Sequence, residues 1–159
     1  MKYLSGKDKK NLQKLLISLN LNVTIDRKDE IIEFRNILFK NKVPLFIYNK
    51  AFKHIEEYSA IKLVPHLKSQ QVKNLKTITI DVGAVPFLLK GVDMMRPGIT
   101  SIQQGIERFE LVRIVDEVKG LTIAVGVSLF DSNTLKSMQT GKSIKILHYF
   151  KDSFYNVSL

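Results

Sequence analysis

The sequence contains no cysteine and no apolar run long enough to cross a membrane. The absence of cysteine excludes disulfide bonds, thiolate catalysis and zinc sites built on sulfur. A membrane-spanning helix needs about 20 predominantly apolar residues, so we expect no membrane partner. The N-terminal segment MKYLSGKDKKNLQK lacks the apolar stretch of a secretory signal, so we expect a cytoplasmic protein.

The motifs of common enzyme classes are also missing. There is no GxxxxGK[ST] phosphate loop, no nicotinamide-type GxGxxG turn and no recognisable elbow around a serine nucleophile. The three histidines, His54, His66 and His148, lie in dissimilar contexts without the spacing of a metal site. We therefore expect a protein that is not an enzyme, with no catalytic residue, no metal and no cofactor.

Acidic residues are few beside the basic ones. The chain has 15 Asp and Glu against 25 Lys and Arg, which gives a formal net charge of +10. Residues 1–75 carry a net charge of +8, and residues 76–159 carry only +2. A strongly basic part beside a nearly neutral one indicates a polyanionic partner, most commonly nucleic acid. The alternative is that these lysines only solvate the surface.

Apolar residues make up 45% of the chain, enough for the core of one domain or of two small ones. The first predicted element is a helix capped by Ser5, with Asp8 completing a variant of the capping box. Apolar runs typical of strands follow at residues 43–48 and 60–65. We place a domain boundary after residue 75.

The second half of the chain is predicted to form several short strands and two short helices, which suggests a small closed or partly open β-barrel. In its last strand, strict alternation places Ile144, Ile146 and His148 on one face. Lys145 and Tyr149 then point the other way. On this face His148 is expected to be a packed histidine and not a ligand.

The stretch DVGAVPFLLKGVDMMRPGIT, residues 81–100, combines three glycines and two prolines. It predicts a short helix with Pro86 in its first turn and Gly91 in the left-handed position that ends it. Phe87 and the two leucines after it are expected to lie in the core. Asp81 is expected to serve as a turn or cap residue.

This stretch resembles the PUA domain, named for pseudouridine synthases and archaeosine transglycosylases. The matching pattern is Gly83-Ala84, an apolar helix, Gly91 and the turn Met95-Arg96-Pro97-Gly98-Ile99. Farther along, LTIAVGVSLFDSNTL and GKSIKILHYFKDSFYNV resemble the family's later strands and the helix between them. The resemblance covers about residues 76–157.

The whole chain resembles PUA proteins that carry an N-terminal pre-PUA domain, among them archaeal PUA proteins and the malignant T-cell-amplified-sequence family of translation factors. His66 stands where that group usually has threonine, and Arg108-Phe109-Glu110 stand near its usual Gly-Asp pair. The implied fold class is α+β. An α/β pre-PUA domain at residues 1–75 would precede a PUA β-pseudobarrel with two short helices at residues 76–159.

The resemblance implies RNA binding between the first helix and its following turn on one side and the last strand on the other. The predicted RNA-binding residues are Gly83, Ala84, Lys90, Met95, Arg96, Pro97, Gly98, Lys142, Lys145 and Tyr149. N–H groups at Gly83-Ala84 are expected to bind a phosphate. Arg96 and the lysines are expected to reach phosphate or a base edge, and Tyr149 to stack on an unpaired base. For Gly83 alone, a sharp strand-to-helix turn remains the alternative.

The favoured hypothesis is a non-catalytic RNA-binding protein that recognises a tRNA acceptor end or the RNA of the small ribosomal subunit. By resemblance it would act in translation initiation, reinitiation or recycling, with a partner like the density-regulated protein that brings an initiation-factor-like domain. An accessory subunit that presents RNA to a tRNA or rRNA modification enzyme is the alternative. We expect a monomer, because no unpaired apolar stripe stands out.

Overall fold

A computed structural model describes residues 1–53, 56–58 and 60–159, so His54 lies outside the described residues. The first of two sheets is antiparallel, and its spatial order follows the chain. Its strands are β1 (Lys2–Tyr3), β2 (Ile31–Phe34), β3 (Ile37–Lys40), β4 (Val43–Tyr48) and β5 (Leu63–Pro65). Helix α1 (Gly6–Ser18) connects β1 to β2 and covers one face of this sheet.

Helix α1 begins where the sequence predicts. The Ser5 hydroxyl accepts a hydrogen bond from the Asp8 N–H at 3.1 Å, and the Asp8 carboxylate accepts one from the Ser5 N–H at 3.2 Å. This reciprocal pair satisfies two N–H groups that a helix start leaves unpaired. Leu12 and Leu16 are the buried side chains of the helix, which fixes the face that packs on the sheet.

The first sheet is buried on both faces. Leu38 and Phe46 point toward α1, whereas Ile37 and Ile47 point toward the second sheet. Because successive side chains of a strand alternate between faces, a sheet covered on both sides needs apolar residues at nearly every position. This explains the continuous apolar run Val43–Tyr48.

The second sheet curls into a partly open barrel, as predicted. Its strands are β6 (Lys76–Ile80), β7 (Met94–Met95), β8 (Ile99–Ile102), β9 (Leu111–Asp116), β10 (Thr122–Ser128) and β11 (Lys142–Tyr149), in the spatial order β7-β11-β10-β9-β6-β8. The β6–β9 pair is parallel and the others are antiparallel. The edge strands β7 and β8 are joined by the three-residue turn Arg96–Gly98, so the sheet must curl until its edges meet.

Two short helices close the ends of the barrel. Helix α2 (Val85–Leu88) has its proline in the first turn, and Gly91 follows it with a φ of +83°, both as predicted. Helix α3 (Ser132–Ser137) is capped by Asp131, which accepts a hydrogen bond from the Thr134 N–H at 2.7 Å. Within the described residues, no helix is long and apolar enough to cross a bilayer.

A bulge interrupts the ladder between β10 and β11. The pairing passes directly from Val125–His148 to Gly126–Ile146, so Leu147 is an extra residue that pairs with no Cα of β10. The ladder closes tightly there, because a Cβ added to Gly126 would lie 2.6 Å from the Lys145 carbonyl oxygen. Only glycine fits this position without a shift of the backbone.

The bulge changes the face on which the end of β11 lies. Ile144 and Ile146 are buried inside the barrel, and Tyr149 packs against the same core although its number is odd. The prediction that Tyr149 points away from Ile144 is therefore wrong, because strict alternation takes no account of an inserted residue. The same change turns His148 toward the first sheet, where it is buried as expected.

One core cluster joins the two sheets. Val125, Val127 and Leu147 on the outer face of the barrel pack with Ile37 and Ile47 of the first sheet. At about 25 cal/mol per Å² of apolar surface removed from water, such a contact is a main source of cohesion between the sheets. The domain boundary after residue 75 stays a prediction, because a shared core does not say where one domain ends.

A buried pair of histidines holds the C-terminal segment onto this junction. The rings of His66 and His148 lie 4.8 Å apart. The Lys68 N–H donates to Nδ1 of His66 at 3.0 Å, so the other nitrogen, Nε2, carries the proton and donates to the Phe154 carbonyl at 3.1 Å. Burial, followed by the nearby His148, lowers the pKa of His66 to about 4.

The second histidine is anchored in the same way. The Leu67 N–H donates to Nε2 of His148 at 3.0 Å, and Nδ1 of His148 therefore donates to the Asp152 carboxylate at 2.8 Å. Asp152 also accepts hydrogen bonds from the N–H groups of Tyr149 and Tyr155. Hydrogen bonds to both nitrogens thus fix the orientation of each ring, which ties residues 149–155 to β5 and the loop after it.

The histidine pair makes a pH dependence of stability testable. The folded chain holds His66 neutral down to about pH 4, whereas the unfolded chain protonates it near pH 6.5. Between pH 6.5 and pH 4 only the unfolded chain binds a proton at His66. The free energy of unfolding therefore has its full value above pH 6.5 and decreases as the pH drops from 6.5 toward 4. At about 1.4 kcal/mol per pKa unit, the free energy of unfolding should fall by roughly 3 kcal/mol.

Urea unfolding between pH 4 and pH 7 checks this expectation. The control is His66→Thr, which removes the titrating ring and introduces the residue usual in the family that the chain resembles. The His66→Thr variant should be less stable than the parent at neutral pH. Its free energy of unfolding should, however, change less with pH than that of the parent. Equal slopes in the two proteins would show that His66 is not the group responsible.

Candidate nucleic-acid interface

An apolar cleft of about 420 Å³ opens between α2 and the turn that joins β7 to β8. The predicted contact residues in its lining are Gly83, Ala84, Met95, Pro97 and Gly98. The other predicted contact residues lie outside this lining: Lys90, Arg96, Lys142, Lys145 and Tyr149. The structure therefore brings half of the predicted site together in one concave surface.

Phe87 projects into this cleft, with 61% of its surface exposed. We expected it in the core, and that expectation is wrong. A single helical turn has only one buried face, and Leu88 occupies it with no exposed surface. Because neighbouring residues of a helix point about 100° apart, Phe87 must face solvent. The sequence alone did not show which of Phe87 and Leu88 is buried, because both belong to one continuous apolar segment.

Exposed apolar side chains surround Phe87. Val92 and Met95 are each 49% exposed and line the same cleft. A cluster of large apolar side chains at the surface is unusual for an isolated protein and marks a binding site for an apolar or aromatic group. Val92 is a functional candidate that sequence reasoning did not include.

Gly98 allows the walls of the cleft to approach each other. A Cβ on Gly98 would lie 3.0 Å from Cε of Met94 and 3.1 Å from Cβ of Ala84. The Asp81 N–H donates to the Gly98 carbonyl at 3.0 Å, which joins the end of β6 to the closing turn. Gly98 is therefore needed for the close contact of the two walls.

The start of the helical segment does not present free N–H groups. One carboxylate oxygen of Asp81 accepts hydrogen bonds from the N–H of Gly83 at 2.5 Å and from that of Ala84 at 3.2 Å. These are the groups that we expected to bind a phosphate, and a carboxylate already satisfies them. Asp81 is a cap residue, as expected, and Gly83 and Ala84 contribute to the cleft through their small size.

Arg96 has a structural task in addition to any contact with RNA. Its half-buried guanidinium donates from Nε to the Leu135 carbonyl at 2.7 Å and from Nη1 to the Ile99 carbonyl at 3.0 Å. Its own N–H donates to the Gly141 carbonyl at 2.8 Å. These bonds join the closing turn to the last turn of α3, where a positive charge also favours the helix C-terminus. The side chain is committed to the closure of the barrel.

Lys142 and Lys145 converge on one carboxylate. Their Nζ atoms lie 3.1 and 3.7 Å from the same Oδ2 atom of Asp93, while Oδ1 of Asp93 accepts a hydrogen bond from the Ile146 N–H. One negative charge is thus shared by two lysines, so this edge keeps a net positive charge. Lys90 lies exposed just after α2, beside the cleft.

Tyr149 lies behind the cleft and faces inward. A Cβ on Gly91 would lie 3.1 Å from Cε1 of the Tyr149 ring, so the ring packs flush against the end of the α2 segment. It also contacts the barrel core. This half-buried ring supports the backbone below the cleft, and Phe87 is the better placed aromatic surface for stacking.

Comparison with known proteins agrees with this geometry. The family model of the PUA domain matches residues 76–150. The chain is 34% identical over 161 residues to an uncharacterized protein of Methanocaldococcus jannaschii, covering 97% of this chain and 94% of that protein. The chain belongs to the PUA-domain proteins. The α+β class and the PUA pseudobarrel are thereby confirmed.

Two further similarities connect this PUA protein to characterised ones. It is 31% identical over 106 residues to translation machinery-associated protein 20 of Saccharomyces cerevisiae, covering 62% of this chain and 59% of that protein. The fold is similar to that of a PUA domain from Aeropyrum pernix, with a TM-score of 0.74 at 19% identity, over 97% of this chain and 88% of that one. The resemblance to archaeal and translation-associated PUA proteins is confirmed.

The buried histidines of the described residues have structural roles. Among the residues that the structure describes, no group of three or more His, Asp and Glu side chains has the arrangement of a metal site. Both nitrogens of the His66 ring and both nitrogens of the His148 ring form hydrogen bonds within the protein. A PUA domain is an RNA-binding fold, so the family indicates RNA binding.

The role of Arg96 leads to a stability prediction. We expect Arg96→Ala to lower the free energy of unfolding by about 2–4 kcal/mol, because two hydrogen bonds from a charged group to partly buried carbonyls are lost. Urea unfolding at neutral pH measures this change. Lys90→Ala is the control, since an exposed side chain away from the core should change stability by no more than about 0.5 kcal/mol.

RNA binding by Arg96→Ala, measured beside its stability, separates structure from recognition. If Arg96→Ala unfolds at the parent urea concentration but loses RNA binding, Arg96 contacts RNA directly and its role in closing the barrel is refuted. A loss of stability without a selective loss of binding supports the closure role.

Proposed function

We propose that this PUA protein is a non-catalytic RNA-binding protein that holds the unpaired 3′ end of a structured RNA, such as a tRNA acceptor end, in the apolar cleft. The observation that carries this proposal is the exposed ring of Phe87 in the lining of an apolar cleft whose walls approach closely at Gly98. Its volume of about 420 Å³ falls in the range of small-molecule sites, about 300–1,000 Å³.

An unpaired base fits this surface better than a duplex does. Base–aromatic stacking contributes about 1–3 kcal/mol per base and tolerates any base, because every base has a π-face. The apolar side chains of Val92 and Met95 extend the contact area around Phe87. Duplex RNA offers mainly phosphates and hydroxyls, which an apolar cleft does not satisfy.

Positive charge supplies the less specific part of the binding. The net charge of +10 attracts RNA over long range, and Lys90, Lys142 and Lys145 lie at the edges of the cleft region. Contacts of this kind position a nucleic acid and make its affinity depend on salt. The predicted contacts of these lysines with phosphate are part of the proposal.

The likeness to a translation machinery-associated protein supports a place in translation. We assign the protein to a step that positions or removes tRNA at the small ribosomal subunit, in initiation, reinitiation or recycling. A partner with an initiation-factor-like domain, similar to the density-regulated protein, belongs to the same assignment. The basic surface of α1, with Lys7, Lys10 and Lys14 exposed, is available for ribosomal RNA or for that partner.

Phe87→Ala tests the site. We expect the Kd for a tRNA with an intact 3′ end to rise about 5- to 150-fold, which corresponds to the loss of one stacked base. Fluorescence anisotropy with labelled tRNA, a trimmed tRNA and a plain duplex measures it. The parent protein should prefer the intact tRNA, and the variant should bind all three RNAs with similar, weak affinity.

Tyr3→Ala is the matched control, because Tyr3 is an aromatic residue that is 63% exposed on the first sheet and lies away from the cleft. It should bind like the parent. Equal affinity of the parent for all three RNAs, fading together with salt, would refute the proposal and leave only nonspecific charge. Copurification with a modification enzyme and not with small subunits would favour the accessory-subunit alternative.

A further inference from the structure

A second pocket of about 420 Å³ lies where the two sheets meet. Three cationic side chains and three aromatic rings line it, and we name it the seam pocket: Tyr58, Arg108, Phe109, Phe130, Lys142 and Lys145. Tyr58 belongs to the turn Glu56–Tyr58 between β4 and β5, and the other five residues belong to the second half of the chain. The pocket therefore needs both halves of the chain.

The backbone at the mouth of the seam pocket is strained. Phe109 has a φ of +67°, a left-handed conformation that a bulky side chain rarely adopts. Its ring meets that of Tyr58 edge to face at 5.0 Å, and the Arg108 guanidinium lies 4.4 Å above the Phe109 ring. Phe109 packs at the edge of the core cluster that joins the two sheets, and this packing holds its ring at the mouth of the pocket.

The charges in the seam pocket are not balanced. Lys142 and Lys145 share one oxygen of Asp93. Arg108 is exposed, and among the side chains that the structure describes no carboxylate lies within 4 Å of it. With Glu57 in the lining and Asp93 beside the two lysines, the three cations still exceed the carboxylates by one. A planar guanidinium fixed above a ring beside two ammonium groups suits a phosphate oxygen.

The seam pocket adjoins the cleft through contacts between their lining residues. Asp93 lines the cleft and pairs with both lysines of the pocket. Lys142 is also the ladder partner of Met95, which lines the cleft, so the two sites lie on either side of the β7–β11 pair. A strand whose terminal base enters the cleft would bring a neighbouring phosphate over this pair and toward Arg108.

We propose that the seam pocket is a second subsite, which binds the phosphate of a nucleotide and packs its sugar or base against Phe109. This inference rests on the proposed function in one respect, namely that the nucleotide belongs to the RNA strand held in the cleft. A free nucleotide offers the same chemistry. The residue that defines the subsite is Arg108, which belongs to the segment that departs from the family pattern.

Arg108→Ala tests the subsite in the full chain. We expect the Kd for intact tRNA to rise about 5- to 20-fold at low salt, and the slope of log Kd against log salt to fall by about one, as for the loss of one phosphate contact. Arg35→Ala is the matched control, because the Arg35 guanidinium also lies over a neighbouring ring, that of Phe34 at 5.0 Å, outside the seam pocket. It should change neither quantity. Thermal melting should be unchanged in both variants.

A second measurement separates the two sources of the nucleotide. Amide and side-chain NMR shifts are followed during titration with a single-stranded RNA trinucleotide and, separately, with adenosine monophosphate. Shifts at Phe109 and Lys145 with the trinucleotide, lost in Arg108→Ala, support the subsite as part of the RNA site. Shifts with adenosine monophosphate only would support the pocket and refute its link to RNA.

The failure of this inference is distinguishable from that of the proposed function. If Phe87→Ala weakens tRNA binding and Arg108→Ala does not, the cleft stands and the subsite is refuted. If the parent fails to bind tRNA, the proposed function is refuted, and the adenosine monophosphate titration alone decides whether the seam pocket binds a nucleotide. Absence of shifts with both probes overturns the inference.

Discussion

The Arg96 guanidinium joins the turn between β7 and β8 to the last turn of α3 and to the start of β8. Together with the short turn between β7 and β8 and the ladder partners of these strands, this link keeps the second sheet curled. The cleft depends on this closure, because one of its walls is the closing turn itself. The sequence predicts Arg96 as an RNA contact. In the structure its hydrogen bonds hold the closing turn in place and so help to shape the cleft.

The contact between the two sheets determines where the seam pocket lies. The bulge at Leu147 turns His148 toward the first sheet and Tyr149 toward the barrel interior. The histidine pair then fixes the C-terminal segment over one part of the junction, while the seam pocket opens at another part. Binding features and stabilising features therefore share one interface, and a ligand in the seam pocket would stabilise the contact between the sheets.

Features that act within one turn of chain were predictable from the sequence. The caps at Ser5 and Asp131 and the left-handed Gly91 need only their immediate neighbours. The outward position of Phe87 was not predictable, because it depends on which of two adjacent side chains the barrel core accepts. Tyr149 was misplaced because the bulge arises from a contact between strands at Gly126, and a single strand does not reveal its partner.

The apolar outer face of β10 makes this PUA domain less modular than the family pattern suggests. A fragment that begins at residue 76 would expose Val125, Val127 and Leu147 to water, and it would lose the ring of Tyr58 from the seam. Such a fragment would be prone to aggregate, since large exposed apolar patches associate. Insertion of this barrel into another protein would therefore require a substitute apolar cover for that face.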